Sequence, residues 1–113
     1  MNNKEFEQLL KKTWTVRFDP SGGYDGMSSA HHVEAEGFLI VAVDAIDYQD
    51  IHPDLQAHDE HPIAGMIANF IAAAPEMHEV LERIATDTKA QCAHQSWART
   101  ALAKARGEEA PCP

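Results

Sequence analysis

The densest gathering of side chains able to do chemistry lies between positions 44 and 61, where His52, His58 and His61 stand among Asp54, Asp59 and Glu60. Imidazole and carboxylate are ligands of zinc and other transition metals, and a site needs three or four of them to converge at about 2 Å from one ion. The spacing here matches no zinc signature, and a loop would lose conformational entropy on closing round a metal. The segment therefore reads first as a solvated polar loop, with His52, His58 and His61 as the metal candidates. His31 and His32 are adjacent on an expected strand, so they project to opposite faces and cannot serve one site; one belongs at the interior or its rim and the other in solvent. His78 stands near Glu79 and Glu82, where pairing along a helix surface is the simpler role, and His94 reads the same way.

Acid–base and nucleophilic chemistry find less support. The carboxylates offer many pairs, but none has the apolar surroundings that would separate two pKa values for acid and base work. There is no Gly-x-Ser-x-Gly elbow and no Gly-rich loop ending in Lys-Ser/Thr. Ser21-Gly22-Gly23 leads into Tyr24-Asp25 and reads as a turn, not as a phosphate cradle. Of the two cysteines, Cys92 and Cys112 lack metal-type pair spacing and read as reduced thiols, Cys112 in a tail over 107–113 expected to be disordered. No catalytic residue and no cofactor are expected, and the reading is a binding protein rather than an enzyme.

The elements that must position these residues follow from periodicity. Asn2 or Asn3 can cap a short helix with Glu5 and Glu7 in its first turn, Lys11 and Lys12 near its end, and Phe6, Leu9 and Leu10 on one stripe. Thr13 to Phe18 alternates, Trp14, Val16 and Phe18 on one face, which is the period of a half-buried strand. After a Gly-, Pro- and Ser-rich loop from Asp19 to Ser29, the runs His31 to Ala35 and Phe38 to Val43 flank Glu36-Gly37 as an antiparallel hairpin. A long acidic loop, Asp44 to His61, follows, in which Tyr48, Ile51 and Leu55 can pin the chain or form one helical turn. Pro62 suits the start of a short apolar helix in which Ile63, Met66, Ile67, Phe70 and Ile71 recur at spacings of three and four, and Pro75 begins a second with Met77, Val80, Leu81 and Ile84 inward. A third, about Ala90 to Arg106, aligns Ala90, Ala93, Trp97 and Ala101 before Gly107 stops it. Trp14 and Trp97 read as core, an exposed one becoming an interface anchor.

The fold class expected is α+β: a short N-terminal helix, a small antiparallel sheet of about three strands, and two to three C-terminal helices packed on it. At 113 residues it makes a single domain, 1–113. No apolar run reaches the roughly 20 residues a bilayer needs, and the N-terminus lacks the features of a signal peptide, so the expected location is the cytoplasm of a bacterial host.

Charge is distributed unevenly. Between Arg17 and Arg83 lie 13 acids and no Lys or Arg, while both flanks are mildly basic, and the whole chain carries a formal charge of -9. A one-signed region speeds encounter with a basic surface and repels nucleic acid and anionic lipid, so neither is an expected direct partner.

The stretch Ile67-Ala68-Asn69-Phe70-Ile71-Ala72-Ala73-Ala74-Pro75-Glu76-Met77 resembles a signature of small accessory proteins of tailed phages and prophages. Thr13-Trp14-Thr15-Val16, Val33-Glu34-Ala35-Glu36-Gly37 and Ala101-Leu102-Ala103-Lys104-Ala105-Arg106-Gly107 fit the same pattern, together about half the chain. The resemblance implies no catalytic residue, since its motif describes helix packing, and the acidic loop looks like an insertion relative to it. Small phage proteins often block host defences, anti-CRISPR proteins among them, and a polyanionic surface can occupy a Lys/Arg groove built for nucleic acid. The expectation is an acidic phage inhibitor that docks on a basic, nucleic-acid-handling host protein such as a CRISPR effector subunit, through Asp44, Asp47, Asp50, Asp54, Asp59 and Glu60. The alternatives are a metal or His-dependent site in the same loop, and a homo-oligomeric accessory protein joined through the helix around Met66 and Phe70.

Overall fold

The computed structural model of the chain describes residues 3–87, 89 and 91–107, without the side chain of Asn3. The expectations placed on an Asn2 or Asn3 cap, on Ala90, on Cys112 and on the tail beyond Gly107 lie outside the described residues. The architecture is α+β, arranged in two compact units, Met1–Pro75 and Glu76–Pro113. In the first, α1 (Asn3–Leu10) leads to strands β1 (Trp14–Asp19), β2 (Ala30–Ala35) and β3 (Phe38–Asp44), a 3-10 turn (Ala45–Tyr48) and α2 (Pro62–Ala72). Helix α3 (Ala74–Thr86) begins at the end of the first unit and pairs with α4 (Cys92–Ala105) in the second.

The sheet is an antiparallel meander, β1-β2-β3, with Val16 opposite Val33 and Val33 opposite Val41. The strand alternation sets its inner face: Trp14 and Val16 pack against Val33, Val43, Ala64 and Ala68, whereas Thr15 and Arg17 point to solvent. The Trp14 indole N–H donates to the Leu9 carbonyl at 3.0 Å and ties the end of α1 to the sheet. At the hairpin Glu36 and Gly37 take φ of 49° and 86°, the doubly left-handed turn whose twist matches the strands it joins.

Helix α2 covers the sheet with its smallest residues. Ala64 and Ala68 are fully buried, with Ile67 and Ile71 beside them, while Met66 and Phe70 are 65% and 71% exposed. The apolar residues that recur at spacings of three and four are thus split, Ile67 and Ile71 toward the sheet and Met66 and Phe70 toward solvent: a helix apolar on most sides carries no single stripe, and its buried face is the one with alanine. In the second unit Ala85, Ala98 and Leu102 form the core with Leu81 and Ile84. Here the phase differs from expectation, since Met77, Val80 and Trp97 are exposed. The buried stripe of α4 is displaced by one residue from Ala93, Trp97 and Ala101, about 100° round the helix, and the Trp97 ring lies on His94 with centroids 5.3 Å apart.

Candidate functional site

The loop between β3 and α2 is held by a buried polar network. The largest fully buried side chains are His61, Val33, Asp44, Ser28 and Ser29. Asp44 collects three donors: the Tyr24 N–H at 2.7 Å, the Ser28 hydroxyl at 2.9 Å and the Ile46 N–H at 3.0 Å. The last of these caps the 3-10 turn. A Cβ on Gly23 would fall 2.0 Å from Ser28 Oγ and 2.8 Å from Asp44 Oδ2, so the glycine is what lets the chain pass this carboxylate.

Ser29 then staples the far end of the loop to β2. Its N–H donates to the Ala57 carbonyl at 2.7 Å and its hydroxyl to the Asp59 carbonyl at 2.6 Å. Inside the loop the Gln49 amide donates to the carbonyls of His52 and Leu55, and its oxygen lies 3.2 Å from His61 Nε2. His61 Nδ1 faces the Asp59 carbonyl at 2.8 Å, so each ring nitrogen stands beside a protein oxygen, and a neutral ring donates to one of the two. His52 accepts the Ile63 N–H at 3.4 Å, its ring edge-on to His61 at 5.6 Å, and His58 is exposed beside Asp59 at 3.6 Å. The three histidines thus serve separate structural ends, and among the described residues no group of three or more His, Cys, Asp or Glu is placed to hold a metal ion.

Of the six carboxylates expected to meet a partner, Asp44 must be withdrawn: it is 0% exposed, its oxygens committed to the 24–28 loop and the 3-10 turn. Asp47, Asp50, Asp54 and Glu60 are exposed and Asp59 is half-buried, accepting the Gln56 N–H at 2.8 Å. Glu60 reaches back to the buried His31 Nε2 at 3.1 Å. Among the described residues the Lys and Arg ion pairs go elsewhere: Lys12 to Glu36, Arg17 to Asp19 and Glu34, Arg83 to Glu79, and Arg106 to Glu82. None reaches Asp47, Asp50, Asp54, Asp59 or Glu60.

On the outer face of the sheet, by contrast, carboxylates do meet a cation, Arg17. Arg17 bonds Glu34 at 3.1 Å and His32 Nδ1 at 3.0 Å, and because a guanidinium only donates, His32 must accept there and donate from Nε2 to the Gly22 carbonyl at 3.1 Å. Glu34 accordingly raises the Arg17 pKa. The Ser21 N–H, with help from Arg17, holds Asp19 below the usual carboxylate range. The N–H groups of Ser28 and Met27 do the same for Asp25.

Ser28, Ser29 and Gln49 are site residues that the sequence reading missed. The signal available for this network was Asp44 itself, an Asp between a strand and a possible helical turn.

Comparison with known families bears on what such a loop serves. A family model matches residues 11–109, which hold the sheet, the acidic loop and helices α2 to α4 but not α1. The chain belongs to the family of Salmonella phage P22 protein Y8K6. It is therefore a phage protein, as the signature around Ala68 to Glu76 led one to expect, and the acidic loop lies within the matched span. Neither the curated proteins nor the solved structures contain a match to the chain. Among the described residues no helix is long and apolar enough to cross a membrane.

Proposed function

We propose that this phage protein works by binding, presenting its acidic loop to a basic surface of a host nucleic-acid-handling protein, a CRISPR effector subunit being the type of target in view. The observation that carries the reading is that Asp47, Asp50 and Asp54 are exposed on a loop stapled at both ends, with no Lys or Arg paired to them among the described residues. Unpaired carboxylates on an ordered backbone keep their full field for a partner and lose little entropy on docking. A Lys/Arg groove that normally holds phosphates would exchange its counterions for such a surface. Glu60 and Asp59 extend the set, while Asp44 supports it from inside.

The test is the triple variant Asp47→Lys, Asp50→Lys, Asp54→Lys, assayed by its ability to displace nucleic acid from CRISPR effector complexes and other basic host proteins. Binding is expected to fall by about 100-fold or more, with the circular dichroism spectrum unchanged. Unaltered displacement by a folded triple variant would reject the loop as the docking surface.

A second reading, self-association through α2, is favoured by the exposure of Met66 and Phe70, which with Ile63 and Ile67 line an uncharged hollow. An uncharged face is where two copies of an acidic chain would meet with least repulsion.

A further inference from the structure

The second unit carries a feature of the opposite sign. Between α3 and α4 an open cleft of about 950 Å³ is walled by Arg83, Arg99 and Arg106, with buried Ala85 and Leu102 in its lining. Two carboxylates share it. Glu79 takes one hydrogen bond from Arg83 at 2.6 Å, and Glu82 stands 3.6 Å from Arg106. Arg99 donates to the Ala85 carbonyl at 3.2 Å, and no carboxylate pairs with it among the described residues. Each guanidinium has five N–H donors, so most of those at the cleft are available to a ligand.

We propose that this cleft binds a phosphoryl group. Three guanidiniums against two carboxylates leave one positive charge in excess, centred on Arg99. A single carboxylate ligand would satisfy Arg99 alone. A phosphoryl group, with three oxygens and close to two negative charges, can take Arg99 together with the free edges of Arg83 and Arg106 in charge-assisted pairs. Glu79 and Glu82 each steady one of those flanking side chains. The ligand is inorganic phosphate or the phosphomonoester of a small molecule, and the chemistry recognised is the same.

The experiment titrates the full chain at constant ionic strength with sodium phosphate and, separately, with a nucleoside 5′-monophosphate, following the arginine Nε–H resonances. Saturable shifts at Arg83, Arg99 and Arg106 are expected with a Kd on the order of 1 mM. Equal affinity for the two ligands would assign free phosphate, and tighter binding of the nucleotide a phosphomonoester. Arg106→Gln should weaken binding about tenfold, and Arg83→Gln, which removes a different wall, provides the same comparison if the first variant folds poorly. Shifts reproduced by chloride at the same ionic strength, or an affinity unchanged in both variants, would overturn the site.

Discussion

Asp44 shows how one residue can change roles between sequence and structure. A carboxylate at a strand end within an acidic run reads as surface charge, yet here it is the interior acceptor that joins the 24–28 loop to the 3-10 turn. Replacing it with alanine would leave the part-buried N–H groups of Tyr24 and Ile46 without their acceptor, while the Ser28 hydroxyl keeps Asp25 Oδ1 at 2.9 Å, so Asp44→Ala is expected to cost about 2 kcal/mol in urea unfolding. Asp44→Asn keeps one acceptor oxygen and should lose less. Asp19 and Asp25 make a pH prediction of definite sign. Their folded pKa values lie below the ordinary 3.8, so the stability they contribute is present above that value and is lost as pH falls through the lower folded values. Acid titration by circular dichroism should therefore show their contribution intact at pH 5 and fading only below about pH 4.

At the scale of elements, α2 separates periodicity from packing. Its limits were legible: Pro62 opens it and the Ala-Ala-Ala-Pro segment closes it, as observed for Pro62–Ala72. Its buried face was not, because isoleucine, methionine, phenylalanine and alanine surround it and a hydrophobic stripe cannot be ranked when every side is apolar. The orientation has a direct test. Ala68→Leu forces extra volume against Val33 and should destabilise by about 1–3 kcal/mol, whereas Phe70→Asp should change stability by roughly 0.5 kcal/mol or less. Light scattering on Phe70→Asp also decides the self-association reading, which expects a larger assembly in the parent protein and a monomer in the variant. In α4 Gly107, at a φ of 75°, ends the helix as its position suggested, while the inward stripe fell on Ala98 and Leu102.

For the whole molecule, what decides recognition is where charge remains unpaired. Among the described residues four cations of the flanks, Lys12, Arg17, Arg83 and Arg106, pair with Asp19, Glu34, Glu36, Glu79 and Glu82, Arg17 being shared by two, and none pairs with the carboxylates of the loop before α2. Complex formation through that loop should weaken steeply as ionic strength rises, because exposed charges more than about 10 Å apart are screened at 0.1 M salt. The same measurement on the triple lysine variant should lose most of that salt dependence. The arginine cleft of the second unit has opposite polarity, so phosphate is not expected to compete at the acidic loop.

What the sequence determined by itself is what depends on neighbours close along the chain: the strand alternation of Trp14, Val16 and Phe18, the Glu36-Gly37 turn, the helix starts at Pro62 and Pro75, the stop at Gly107, and the one-signed middle of the chain. Backbone geometry and local hydrogen bonding dictate these within a few residues. The tertiary structure decided which carboxylates face solvent and which side of each helix is buried. Asp44 is interior because donors 16 and 20 residues away converge on it, and it is Ala68, not Phe70, that shares the buried cluster with Val33 and Val43. Such choices are set by contacts between distant segments, and no local pattern contains them.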